Sequence, residues 1–310
     1  LTEQDARRLV RTAIWNDGAL TEDDLPKLNK AKFELLNLSG AVHFEFETAP
    51  LADLGGLERL KAWLAERQDA FLGRGAAAGL PPPRGVLLLG VQGSGKSLAA
   101  RALAGIWGVP LLRLDMGTLY NKYYGESERN LRAALALAEN MAPCVLWIDE
   151  IEKGLAMGGD DGGTSRRMLG TLLTWLAERT APVFIAATAN DIQQLPPELM
   201  RKGRMDEIFF VDLPETSARE AIFVIHLRKR QLDPDRFDRA ALARLSEGFS
   251  GAEIEQAVVS ACYGAAAAGR PAGQADVGRE LARTRPLSVV MAESVQALRA
   301  WARDRTVAAD

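Results

Sequence analysis

Cysteine, histidine and long apolar runs are scarce in this chain, and each scarcity removes a class of function. Only two cysteines, Cys144 and Cys262, and two histidines occur in 310 residues. Neither cysteine has a second Cys or a His at ligand spacing, so neither a zinc site nor a disulfide framework is expected. Cys144 opens an apolar run and Cys262 lies in an alanine-rich stretch, and both read as small packed hydrophobes in a reducing cytoplasm. No stretch approaches the ~20 apolar residues that cross a bilayer, so no membrane-spanning helix is expected. Neither sign of charge dominates. The formal net charge of −3 supplies no global basic field, and no basic stripe with interleaved aromatics marks a nucleic-acid surface. Arg228, Arg230, Arg236 and Arg239 cluster locally and read as a solvated helix face.

With 47% hydrophobic and 25% charged residues, the composition is that of an ordinary folded chain, long enough for about two domains. Residues 2–15 and 21–37 read as two short amphipathic helices, each opening on a Thr followed by acids, TEQD and TEDD, with Thr as the cap. A third helix is predicted over 57–79, closed by Pro81, Pro82 and Pro83. From there the apolar runs GVLLL, PLLRLD, CVLWID, PVFIAATA and EIFFVDL alternate with helical stretches, the pattern of a parallel α/β sheet. After Pro214 the strands stop, and helices are expected at 215–230, 238–247, 250–268 and 292–304. GAAAAGRPAG at 264–273 reads as a helix end and linker. The expected organisation is an N-terminal helical segment, 1–48, a large α/β domain, 49–213, and a small all-α lid, 214–310. The opening LTEQDARRLV has neither an initiator Met nor a signal pattern, so the first segment reads as the end of an upstream region.

The run GVQGSGKS, 90–97, fits G-x-x-x-x-G-K-[ST] at the end of the apolar run Gly85 to Leu89. Gly90, Gly93 and Gly95 let the backbone turn several N–H groups inward at a helix N-terminus, which makes an anion site. Lys96 is placed to reach β- and γ-phosphates, and Ser97 to offer its hydroxyl to Mg²⁺, a hard cation that takes oxygen ligands. CVLWIDEIE, 144–152, reads as a buried strand ending in two carboxylates, at the strand end where parallel sheets place ligands. Asp149 reads as the second Mg²⁺ residue and Glu150 as the group that orients and polarises an attacking water. The strand VFIAATAND ends at Asn190, whose amide donates and accepts without changing charge and suits contact with a γ-phosphate or that water. In LMRKGRMDEIFF, Arg201 and Arg204 carry the guanidinium groups that stabilise charge on a transferring phosphoryl.

In this order and spacing the sequence resembles the AAA ATPases over about residues 50–305. Within them it is similar to the AAA proteins of plastid and cyanobacterial hypothetical open reading frames and their bacterial relatives. GVQGSGKS, PCVLWIDEIEK, RKGRMDEIFF, FSGAEIEQA and LRAWA carry that match. The resemblance implies a P-loop NTPase parallel sheet flanked by helices, followed by a small all-α lid domain, with ATP and Mg²⁺ as cofactors. It places Gln92, Gly93, Ser94, Gly95, Lys96, Ser97 and Leu98 around the phosphates. Asp53, Leu54 and Gly55 of DLGGLERL, His226 of IFVIHL, and Gly251 and Ala252 of FSGAEIE resemble the adenosine contacts. Arg201 and Arg204 resemble arginine fingers that act on a neighbour's nucleotide, which implies a ring homo-oligomer, commonly a hexamer. Lys122, Tyr123 and Tyr124 of NKYYGESERNLR resemble a first pore loop, whose aromatic grips a threaded protein substrate. MGGDDGGTSRR, 157–167, reads as a second pore loop or a loop tip. WLAERTAP stands where many relatives carry an Asp-Gly-aromatic intersubunit signal. The implied activity is Mg²⁺-dependent ATP hydrolysis coupled to remodelling of a protein partner, the alternative being a slowly hydrolysing ATP-gated scaffold.

Overall fold

A computed structural model describes residues 3–17, 21, 24–37, 40–46, 48–119, 126–155, 163–201 and 203–310. The first half of the chain runs α1 (Glu3–Asp17), α2 (Leu25–Leu36), β1 (Val42–Glu45), α3 (Glu58–Leu72), β2 (Gly85–Gly90), α4 (Lys96–Trp107), β3 (Leu111–Leu114), α5 (Met116–Leu119) and α6 (Glu126–Met141). Then come β4 (Cys144–Ile148), α7 (Ile151–Leu155), α8 (Thr164–Glu178), β5 (Val183–Ala189) and β6 (Glu207–Val211). The remainder is α9 (Thr216–Lys229), α10 (Arg239–Leu245), α11 (Gly251–Ala267), α12 (Gln274–Arg283), α13 (Leu287–Val290), α14 (Ala292–Ala302) and β7 (Val307–Ala308).

The apolar runs are continuous because their strands are covered on both faces. Alternate residues of β2 enter different cores: Val86 and Leu88 pack with α3 and α4, whereas Leu87 and Leu89 pack with α6 and α8. The same alternation runs through Val145 and Trp147 against Leu146 and Ile148 in β4. The sheet has the order β1-β3-β4-β5-β2-β6-β7. Its pairings from β3 to β7 are parallel, and β1 lies antiparallel on β3. All five expected strands are present. The two edge strands, of four and two residues, are too short to show a period in the sequence.

Other differences have local causes. Helix α3 stops at Leu72 rather than 79, because Gly73 takes a left-handed conformation at its C-cap. In TEDD the expected cap is reversed: Thr21 donates from its N–H and hydroxyl to the Asp24 carboxylate at 3.1 and 3.2 Å. The stretch read as linker ends α11 and then starts α12, whose first turn Asp276 closes by accepting from Gly273 N at 2.9 Å. Helices α9 to α12 enclose a separate lid core around Phe223, Leu227, Ile254, Val258 and Leu281. The final segment leaves that lid. Leu298 and Ala302 of α14 join the large-domain core, Arg299 pairs with Asp212 at 2.8 Å, and β7 extends the sheet beyond β6. The pore-loop candidates Lys122, Tyr123 and Tyr124, and 157–162 of the glycine-rich stretch, lie outside the described residues.

Candidate nucleotide site

The order of the sheet reverses direction at β2, and parallel sheets bind ligands beyond the carboxyl ends of their strands at such a point. The glycine loop leaves β2 there and enters α4. Gly93 and Gly95 both have positive φ, 77° and 100°, conformations open to glycine at little cost. Gly93 is also confined in space. A Cβ there would lie 2.9 Å from the Ser250 hydroxyl, and its carbonyl accepts from Ala252 N at 3.2 Å, so the lid's α11 begins against the loop. Ser250 is held for this by a capping box with Glu253.

Beside the loop opens a cavity of about 500 Å³, within the usual range for small-molecule sites. It brings together Asp53, Leu54 and Gly55 from the turn before α3, Gln92 through Leu98 from the loop and α4, and Asp149, Glu150 and Asn190 from the strand ends. His226 of α9 and Gly251 and Ala252 of α11 close the lid side. These expected positions therefore share one cavity. Arg201 and Arg204 do not line it; Arg204 donates to the Glu198 carbonyl and Arg201 is exposed. A larger cavity of about 680 Å³ lies on the far side of Gln92 and Asn190, against α14, but the loop lysine and the paired carboxylates belong to the smaller one.

The acids and amides at the strand ends form one connected network. Ser97 Oγ donates to Asp149 Oδ1 at 3.1 Å, and Thr188 Oγ1 donates to the same oxygen at 2.6 Å. Thr188 Oγ1 also accepts from Glu150 N at 3.0 Å, where the backbone of Glu150 is left-handed with φ 48°. Asn190 Nδ2 donates to Glu150 Oε1 at 2.9 Å, and Lys153 Nζ donates to Glu150 Oε2 at 2.5 Å. Beneath them Glu152, 2% exposed, accepts from Asn190 N at 2.9 Å. Burial raises its carboxyl above the usual range, and the nearby Glu150 charge adds to this.

Lys96 is 5% exposed and donates to the carbonyls of Gly90 and Val91 at 2.8 and 2.7 Å. Burial pulls its ammonium down to about 8, against the opposing pull of Glu152, Asp149 and Glu150. On the lid side Lys229 pairs with Asp53 at 2.7 Å. Burial lowers the His226 imidazole below its ordinary value, and among the described residues its Nδ1 has no hydrogen-bond partner.

A nucleotide triphosphate with Mg²⁺ fits this donor set. The Ser94 hydroxyl is buried without a hydrogen-bond partner among the described residues, in the loop whose backbone curls round an anion site. Ser97 and Asp149 present oxygen atoms side by side, the chemistry that Mg²⁺ takes. Among the described residues no cluster of three or more His, Cys, Asp and Glu side chains suits a self-contained metal centre. Thr188, Arg101, Lys229 and Glu255 also line the cavity and Glu152 lies beneath it, and no sequence motif assigned them a role. For Thr188 a signal existed, since it lies two residues before Asn190 and strand residues two apart face the same side.

Residues 86–213 match the ATPase family associated with various cellular activities, AAA, and residues 1–39 match the second domain of SpoVK-like AAA ATPases. The "uncharacterized AAA domain-containing protein ycf46" of Pyropia yezoensis is 43% identical over 302 residues, covering 96% of this chain and 61% of that protein. Its namesake in Guillardia theta is 40% identical over 305 residues, 97% of this chain and 60% of its own length. The proteasome-activating nucleotidase of Aeropyrum pernix is 40% identical over 276 residues, 84% of this chain and 65% of the relative. The chain thus spans less than two thirds of the length of these curated relatives. In three dimensions it is similar to the crystal structure of the FIGL-1 AAA domain, with a TM-score of 0.71 at 24% identity, over 88% of this chain and 95% of that one. That likeness shows the fold alone. The glycine loop, the paired strand-end acids and the sequence kinship agree: this chain carries an AAA ATPase domain at residues 86–213.

Proposed function

We propose that the chain is an Mg²⁺-dependent ATP hydrolase that works in a ring of its own copies, commonly six, and remodels a protein partner. The observation that carries this reading is the continuous network Ser97–Asp149–Thr188–Glu150–Asn190 at the mouth of the glycine-loop cavity. In it, Gly93, Gly95 and Lys96 bind phosphate, and Ser97 and Asp149 would hold Mg²⁺. When bound, Mg²⁺ neutralises charge on the phosphate oxygens. Glu150 accepts the proton of the attacking water, Asn190 orients that water or the γ-phosphate, and Thr188 fixes both acids. Asp53, Leu54, Gly55 and His226, with Gly251 and Ala252, line the cavity between turn and lid and would hold the base. Arg201 and Arg204 act on the adjoining copy's nucleotide, and Lys122, Tyr123 and Tyr124 grip the partner chain. Among the described residues no helix is long and apolar enough to cross a membrane, and we place the protein in the cytoplasm or an equivalent reducing compartment.

Steady-state ATP turnover tests the core of this. Wild-type turnover should exceed that of Glu150→Gln and Lys96→Ala by at least about a hundredfold, the scale of losing a catalytic base or an electrostatic clamp. Equal turnover in all three, at concentrations where copies assemble, would sink it.

One observation favours a second reading, an ATP-gated scaffold that hydrolyses only to reset. Both carboxylate oxygens of Glu150 are held by the protein's own donors, Asn190 and Lys153. Replacing Tyr123 by Ala separates the two. Lost partner processing with intact turnover supports threading, and no effect supports the scaffold.

A further inference from the structure

The turn that closes the base side of the cavity is held from the far end of the chain. After Asp53, Leu54 and Gly55 come Gly56 and Leu57, both left-handed with φ 73° and 61°, before α3 begins. Leu57 is buried in the core with Leu60 and Leu64, so its side chain is needed at a position that favours glycine. It gives α3 no side-chain cap of its own. The N–H groups of Leu57 and Glu58 instead donate to Asp310 Oδ1, the second at 3.3 Å. One turn on, Leu60 N donates to the Ala309 carbonyl at 3.1 Å.

Asp310 is brought there by a strap. Arg299 of α14 pairs with Asp212, Val307 and Ala308 register with Phe209 and Phe210 of β6, and Ala309 N donates to the Phe210 carbonyl at 3.0 Å. On the other side of the turn stands the lid. A Cβ on Gly55 would lie 2.8 Å from Ile222 Cγ1 of α9, and Asp53 pairs with Lys229. The turn is therefore clasped between lid and strap where it lines the cavity.

We propose that Asp310 is a positioning residue for the nucleotide site: from the β7 strap it fixes the Asp53–Leu57 turn and so sets nucleotide affinity. A carboxylate suits the place, since a helix N-terminus carries partial positive charge and free N–H donors. The inference rests on reading the cavity as the nucleotide site.

The test is the affinity of a fluorescent ADP for the full chain and for Asp310→Ala. Losing a cap of this kind should weaken binding about three- to tenfold, with the loss in turnover falling on KM rather than kcat. Leu57→Gly placed on Asp310→Ala relieves the left-handed backbone but empties the core, so it should not restore affinity. Should Asp310→Ala fail to fold, Asp310→Asn carries the test, because its amide oxygen keeps an acceptor and loses the charge; about a threefold loss supports the proposal. A lowered melting temperature with unchanged affinity of the folded protein overturns it, leaving a helix cap and nothing more. A wild-type chain that binds no nucleotide overturns the reading of the cavity and the strap with it. Wild-type binding with unchanged affinity in both variants overturns the strap alone.

Discussion

Two side chains around Glu150 deserve opposite substitutions. Thr188 is 1% exposed and its hydroxyl donates to Asp149 while accepting from Glu150 N. Thr188→Val keeps the shape and removes both bonds, leaving a buried N–H and a carboxylate oxygen short of partners at a cost of about 1–3 kcal/mol. ATP turnover should fall about tenfold with nucleotide affinity within about twofold of wild type, since the acids lose their aim and the phosphate loop is untouched. Equal losses in affinity and turnover would show that Thr188 supports the pocket as a whole. Lys153 works against the same base. Its ammonium occupies Glu150 Oε2 at 2.5 Å, an oxygen that would otherwise face the attacking water. Lys153→Met should raise basal turnover several-fold, and a fall would mean that the lysine helps to place Glu150. The residues that bear charge in fixed motifs, Lys96, Asp149 and Glu150, were legible in the sequence. Thr188 and Glu152 were not, because a lone hydroxyl in an apolar strand and one more acid on a short helix take their meaning from burial and neighbours.

Among the elements, the central strands announced themselves through runs buried on both faces, whereas β1, β7 and α12 did not. Helix α12 was hidden behind the glycine and proline that precede it, although those residues lead into its first turn. Asp276 is the key to that turn. Arg270 makes a two-pronged contact with its carboxylate at 2.6 and 2.8 Å, and Gly273 N adds a third bond. The Arg270 hydrogen bonds, followed by the Gly273 bond, hold the carboxyl far below the usual carboxylate range. The folded-state value thus lies under the unfolded one of about 3.9. The contribution of this group to stability is complete above about pH 4 and is lost as pH falls below it. Circular dichroism at falling pH should show Asp276→Asn less stable than wild type at pH 7, with the difference closing in acid; a gap that persists at the lowest pH would contradict this. The close approach of β2 and β6 is a second element-level constraint. A Cβ on Gly90 would lie 2.0 Å from the Val211 carbonyl oxygen, so Gly90→Ala must part the strands at the root of the phosphate loop. Overpacking of this kind costs roughly 1–3 kcal/mol or more, and thermal unfolding should register it as a drop of several degrees.

For the whole molecule, the sequence pattern divided a large α/β unit from a helical lid. The packing of α14 on the large domain was implied only by the resemblance of the C-terminal helix, with Trp301, to one that packs back in this way in some relatives, and the pairing of β7 was not legible at all. Both depend on contacts between residues from 87 positions apart, Asp212 with Arg299, to 253 apart, Leu57 with Asp310, and no local period encodes such pairings. The other long-range question is where Arg201 and Arg204 act. Neither lines the nucleotide cavity of its own chain. Their loop is instead anchored at the opposite end of β2: Arg84 donates to the Gly203 carbonyl at 2.6 Å, and Arg84 N and Gly85 N donate to Asp206. The phosphate loop leaves the carboxyl end of β2 and the arginine loop sits by its amino end, and in the proposed ring a head-to-tail contact between copies would bring the two together. Mixing variants tests this without knowing the partner protein. Arg201→Ala/Arg204→Ala keeps its own site and lacks the guanidinium groups; Glu150→Gln keeps the guanidinium groups and lacks the base. Each alone should turn over slowly. In an equal mixture half the copies keep a working site, and half of their neighbours supply arginines, so turnover should recover to about a quarter of wild type if assembly is random. A mixture no faster than the mean of its components would place the arginines in service of their own chain, and the ring would lose its mechanistic support.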